Sequence, residues 1–131
     1  MTVRGAKATC DKYASQLVRM RGACQRCGST KNLEWAHIIR RRHVGNPDGI
    51  ALRHNLANAW CLCGQCHRLV DSDAVEFTRL VEATIGLGFY GLLIAAKNEP
   101  HRRWTEKDWI NQRAQLRALL NGAGSVDRSV W

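Results

Sequence analysis

The sequence has no apolar run long enough to cross a bilayer, which argues against a helical membrane protein. Its first residues, MTVRGAKATCDKYASQ, hold no apolar stretch of the secretory kind and no cleavage-type boundary, so an intracellular, cytoplasmic setting is expected. Aromatic residues make up only 7% of the 131 residues, although hydrophobic residues together reach 45%. One modest core is all that this allows, and a staple that supplements it is expected. No internal repeat or shift in composition divides the chain, which predicts a single domain over residues 1–131. Acidic residues are scarce as well, 11 against 20 basic ones, for a formal charge of +9. That imbalance favours a polyanionic partner, nucleic acid before any other, and most of the basic residues are arginines, whose planar fork matches phosphate.

The six cysteines, without an export signal, read as metal thiolates rather than a disulfide framework. Four of them form two Cys-x-x-Cys pairs, Cys24/Cys27 and Cys63/Cys66. Zinc prefers four tetrahedral ligands in structural sites, and cysteines at this spacing can both reach one ion at about 2.3 Å. A site closed by four thiolates has no open coordination position, so this Zn²⁺ is expected to fold the chain rather than to react. Two alternatives stand beside it: His67 as fourth ligand in place of Cys66, and a redox-active cysteine pair. Cys10 and Cys61 are left over as buried or half-buried thiols.

Tyr13, Leu17 and Met20 recur at helical spacing and predict a helix over about 8–21, ended by Gly22. The CQRCGS segment reads as a zinc knuckle, with Gly28 free to take a positive φ. Alternation over Leu33–Ile39 predicts a strand that puts Leu33, Trp35 and His37 on one face. Arg40, Arg41, Arg42 and His43 then lead into the turn signal Gly45–Gly49, and a mobile basic loop is expected. Residues 50–58 are ambiguous, Ala59–Leu62 can return as a second strand, and Cys63 to His67 begins a short helix. Asp73 with Glu76 caps the next helix, striped by Phe77, Leu80, Val81 and Thr84 and ended by Gly86 and Gly88. Phe89–Lys97 fits helix or strand, and Thr105 with Asp108 caps a last helix carrying Trp109, Leu116 and Leu120. The Gly/Ser-rich tail from Asn121 is expected to fray.

Taken in order, Cys-x-x-Cys, Ala36-His37-Ile38, Asn58 five residues before Cys63, and Cys63-x-x-Cys66-His67 make a pattern that resembles the HNH (ββα-metal) endonucleases with a zinc-bound treble-clef core. The likeness covers about residues 22–70. The leading helix and the trailing segment with WTEKDW are similar to phage recombination-type HNH nucleases, which would place the protein in host cytoplasm. The resemblance implies an α+β fold: a small ββα-metal core over 22–72, the N-terminal helix, and a C-terminal helical segment over about 73–121.

It also implies roles. His37 matches the general base that deprotonates the attacking water, Asn58 the asparagine that binds or orients the metal site, and His67 the helix histidine that ligates the catalytic ion or contacts the scissile phosphate. That ion, Mg²⁺ or Mn²⁺, would be held by Asn58 and His67, and water attack with loss of the 3′ oxygen leaves a 5′-phosphate. An imidazole with a pKa of about 6.5 suits the base, and an amide oxygen suits a hard, hydrated cation. Asn55 competes with Asn58, and the spacing to Cys63 prefers Asn58. Where the family often has a metal-ligating Asp or His, this chain has Ala36; Glu34, on the same strand face, and His43 are the residues nearest to compensate. Arg40, Arg41, Arg42, Arg53 and Arg68 are the expected phosphate contacts, while His54 and His101 read as solvated.

The resulting expectation is a metal-dependent endonuclease on double-stranded or branched DNA that reads little sequence, since no groove-reading element is evident. A non-catalytic zinc module that binds DNA or RNA is the alternative, and a zinc-dependent interaction domain a third.

Overall fold

A computed structural model describes residues 3–40, 52–98 and 104–122. Its elements are helix α1 (Val3–Arg19), strand β1 (Leu33–His37), a 3-10 turn (Leu56–Asn58), strand β2 (Ala59–Cys63), and helices α2 (Gly64–Ser72), α3 (Ala74–Thr84), α4 (Leu87–Asn98) and α5 (Glu106–Gly122). The predicted strand stops short of Ile39: Ile38 N–H still meets Asn58 O in register at 3.0 Å, but Leu56–Asn58 is a 3-10 turn and Ile39 N–H goes to the Asn58 side chain instead. The predicted basic loop, Pro100–Arg103 and the tail beyond Gly122 lie outside the described residues.

The two strands pair antiparallel, with Trp35 opposite Cys61, Ala36 opposite Trp60 and His37 opposite Ala59. Cross-strand partners share a face, so the hairpin presents two different surfaces. Trp35, Ala59 and Cys61 pack against Val18 and Leu56 on the side of α1, whereas Ala36, Trp60 and Leu62 pack with Val70, Leu80, Val81 and Leu93. All five residues of β2 are buried as a result, which explains why AWCLC shows no polar alternation.

Helix α1 begins five residues earlier than its large apolar residues suggest. Its fully buried stripe is Ala6, Cys10, Ala14 and Leu17, with Tyr13 only partly covered. Small residues at helical spacing let α5 come close, and Trp109 and Leu116 of α5 fill the seam. Gly22, at φ +88°, turns the chain out of α1. Arg21 locks that exit: its guanidinium donates to Leu56 O and Ala59 O, both at 2.8 Å, and to Gln25 Oε1 at 2.9 Å.

The caps fall where the sequence places them. Asp73 accepts from Val75 N and Glu76 N at the start of α3, and Asp108 accepts from Thr105 N at 2.8 Å while Thr105 Oγ1 accepts from Asp108 N at 3.4 Å. α4 resolves the ambiguous apolar stretch as helix. Trp60 joins this half to the hairpin, donating from Nε1 to Thr84 Oγ1 at 2.9 Å and meeting Phe77 edge-on at 5.4 Å. Among the described residues no single helix is long and apolar enough to cross a membrane.

Trp109, fully buried between α1 and the hairpin, has no replacement for its volume. Trp109→Ala is expected to lower the free energy of unfolding by about 3–5 kcal/mol, read from the midpoint of a denaturant titration.

Candidate functional site

The two cysteine pairs meet between the knuckle and the β2–α2 junction. Positive φ at Gly28 and a 2.9 Å hydrogen bond from its N–H to Cys24 O close the knuckle. Gln25 then splices it onto β2, its N–H donating to Cys61 O and its side chain accepting from Cys61 N. Cys63, extended at the end of β2, caps α2, and its sulfur accepts from Cys66 N at 3.5 Å; Cys24 Sγ accepts from Cys27 N at the same distance. The four sulfurs lie within 4.8 Å of one another, and among the described residues this is the only His, Cys, Asp or Glu group of three or more that could hold a metal ion.

The geometry fits zinc. A tetrahedron with about 2.3 Å to each sulfur has edges of about 3.8 Å, and Cys27 and Cys63 sulfurs stand 3.8 Å apart. Burial raises the Cys24 thiol, but N–H groups of Cys27, Cys63 and Arg26 outweigh it and bring the thiol down to about 6. Burial, with the neighbouring thiols, pushes Cys66 up to about 12, so a divalent cation is what lets all four ionise together. Arg26 adds a donor to Cys66 Sγ at 3.5 Å and an ion pair to Glu76 at 3.0 Å, tying α3 to the cluster. Cys66, not His67, completes the group that could hold the ion. Cys10 and Cys61 are both fully buried, as expected of the leftover thiols.

Asn58 takes a different part from the one expected. Its side chain is wholly buried: Oδ1 accepts from Ile39 N at 2.7 Å, and Nδ2 donates to Ile39 O at 3.2 Å and Leu52 O at 3.1 Å. An amide committed to three backbone groups is a clamp across the neck of the connection between the strands, and not an ion ligand. Asn55 caps the 3-10 turn instead, accepting from Ala57 N.

His37, half-buried at the end of β1, lies 2.8 Å through Nε2 from Arg53 O. A carbonyl only accepts, so Nε2 carries a hydrogen, and in the neutral ring the lone pair is then on Nδ1. Trp35 packs beside the ring, centroid to centroid 4.3 Å.

His67 lies on the other face of the hairpin. Its Nδ1 is 2.8 Å from Glu34 Oε1 and its Nε2 3.5 Å from Asp71 Oδ2, one helical turn on. Glu34 can come over the start of α2 because residue 64 is glycine; a Cβ there would lie 3.0 Å from Glu34 Oε2. These hydrogen bonds of His37, Asn58 and His67 go to different partners. Arg40, three residues after His37, reaches the His67 side: it donates to Asp71 O at 2.6 Å and pairs with its carboxylate at 3.6 Å.

Of the other expected phosphate contacts, Arg68 is exposed on α2, and Arg41, Arg42 and His43 lie outside the described residues, as does His101. Arg53 is corrected: it is 7% exposed and its Nε and Nη2 grip the Asp11 carboxylate of α1, both at 2.9 Å, so it cannot hold a strand of nucleic acid. His54 is corrected too. It is 3% exposed, 2.6 Å from Asp11 Oδ1, stacked on Trp35 and edge-on to Trp109. Burial lowers the His54 pKa against the pull of Asp11; burial also opposes ionisation of Asp11, yet its hydrogen bonds from His54 and Arg53 hold that carboxyl well below the usual range. Asp11 and Asp71 are the residues that sequence reasoning missed. Asp71 is betrayed only by its place four residues after His67, and Asp11, 42 positions from Arg53, by nothing local.

Removal of zinc by a strong chelator, or Cys24→Ser, is expected to unfold the chain, because a structural site contributes roughly 10–16 kcal/mol; loss of far-UV circular dichroism together with bound zinc is the check. Asn58→Ala is expected to cost roughly 2–4 kcal/mol in a denaturant titration, since it strands buried backbone groups of Ile39 and Leu52. Comparison of the chain with protein-family models, with curated proteins and with solved structures gives no significant match.

Proposed function

We propose that this chain is a metal-dependent endonuclease that hydrolyses DNA phosphodiester bonds with little sequence preference. The observation that carries the reading is the arrangement of His37: a histidine at the end of the first strand of a ββα unit, with Nε2–H donated to a backbone carbonyl. The resemblance to HNH nucleases, the four-cysteine cluster and the charge of +9 support it.

In this reading Nδ1 of His37 takes a proton from the water that attacks phosphorus, and the 3′ oxygen departs to leave a 5′-phosphate. The carboxylates that Mg²⁺ or Mn²⁺ would find on the α2 side are those of Glu34 and Asp71 rather than the Asn58 amide; both nitrogens of His67 face these carboxylates, and the three residues do not converge into a metal group. Such an ion keeps several waters and needs only one or two carboxylates beside substrate oxygens. When bound, it supplies Lewis-acid polarisation of the phosphoryl oxygen. Arg40 and Arg68 hold the backbone phosphates from the α2 side.

One observation favours the non-catalytic nucleic-acid-binding module. Ala36, where the family often has a ligand, is 1% exposed within an apolar cluster and offers the ion nothing. Nicking of supercoiled plasmid by the zinc-loaded protein with Mg²⁺ or Mn²⁺ separates the two. His37→Ala is expected to slow nicking roughly 10²–10⁴-fold with DNA affinity retained; a folded wild type that binds but never nicks establishes the binding module instead.

A further inference from the structure

The turn that carries Leu52, Arg53 and His54 gives two main-chain carbonyls to the site: Leu52 O accepts from Asn58 Nδ2, and Arg53 O accepts from His37 Nε2. Among the described residues this turn pairs with no strand. Helix α1 holds it. Asp11 Oδ1 receives Arg53 Nε at 2.9 Å and His54 Nε2 at 2.6 Å, and Asp11 Oδ2 receives Arg53 Nη2 at 2.9 Å. His54 is wedged between Trp35 and Trp109, and Trp35 lies against His37. Both side chains and backbone of one turn are thereby referred to a single carboxylate on α1, outside the segment that resembles the HNH core.

We propose that Asp11 is a positioning residue for His37: by gripping Arg53 and His54 it places the Arg53 carbonyl that fixes which nitrogen of His37 carries the hydrogen. The proposal rests on the reading of His37 as general base for its catalytic consequence, and on geometry alone for the coupling. A two-pronged guanidinium–carboxylate pair is directional, which a purely apolar contact is not. A general base in the wrong tautomer presents an N–H to the water it should deprotonate.

The test uses the zinc-loaded full chain with ¹⁵N-labelled histidine and long-range ¹H–¹⁵N spectra, which report the tautomer of each ring. Wild-type His37 is expected in the Nε2–H form. Asp11→Asn turns an amide N–H₂ toward Arg53 or His54, donor against donor, and is expected to give a mixture of His37 tautomers while the His67 signals stay put. In the nicking assay the same variant is expected to lose about tenfold in kcat with KM unchanged, part of the roughly 10²–10⁴-fold a well-placed base supplies. If Asp11→Asn fails to fold, Arg53→Lys keeps the charge and loses the fork, and the same mixing is expected there. An unchanged Nε2–H tautomer in a variant with full zinc content overturns the proposal, as does wild-type His37 in the Nδ1–H form. A wild type that does not nick refutes the nuclease reading, and the spectra still decide whether Asp11 governs His37.

Discussion

Four sulfurs brought together between a knuckle and a strand–helix junction are the constraint on which the remaining structure hangs. The first pair stands at the exit from α1 and the second at the end of the hairpin, so one ion would close a loop that contains the strand pairing, the Asn58 clamp and His37. Two five-residue strands make a hairpin that is marginal alone in water. Here it is sandwiched between two apolar layers and pinned at one end by the cluster, and the open end, where β1 runs out, is the end that carries His37.

The energetic logic follows from size. A chain with so few aromatic residues cannot bury a large core, and it concentrates its tryptophans where they join layers: Trp60 between hairpin and α3, Trp35 and Trp109 between hairpin, α1 and α5. The polar contacts that cross these layers are directional and buried, notably Arg21 on two carbonyls and Asp11 on Arg53 and His54. Such groups contribute less to stability than to a unique arrangement, because each fits only one register of the pieces it joins.

What the sequence made legible was local. The cysteine spacing, the cap pairs at Asp73/Glu76 and Thr105/Asp108, the hairpin, and the helical reading of α3 and α5 each rest on residues within a few positions of one another, and each is present. What stayed hidden was long-range or small. The stripe Ala6–Cys10–Ala14 of α1 has little hydropathic contrast, so the larger Tyr13 and Met20 misplaced the helix face and its start. Arg53 reads as a phosphate contact and His54 as solvated until Asp11 is brought to them across 42 and 43 positions. Asn58 was picked out by its spacing from Cys63, but spacing says nothing of whether an amide faces a cation or two backbone carbonyls.

The cluster is not sealed evenly. Cys24, Cys63 and Cys66 are buried, while Cys27 is exposed. Ligand exchange, soft heavy-metal ions such as mercury or cadmium, and thiol oxidants therefore meet the fold at one sulfur before the others, and Cys27 is the point at which the chain's chemical durability is decided.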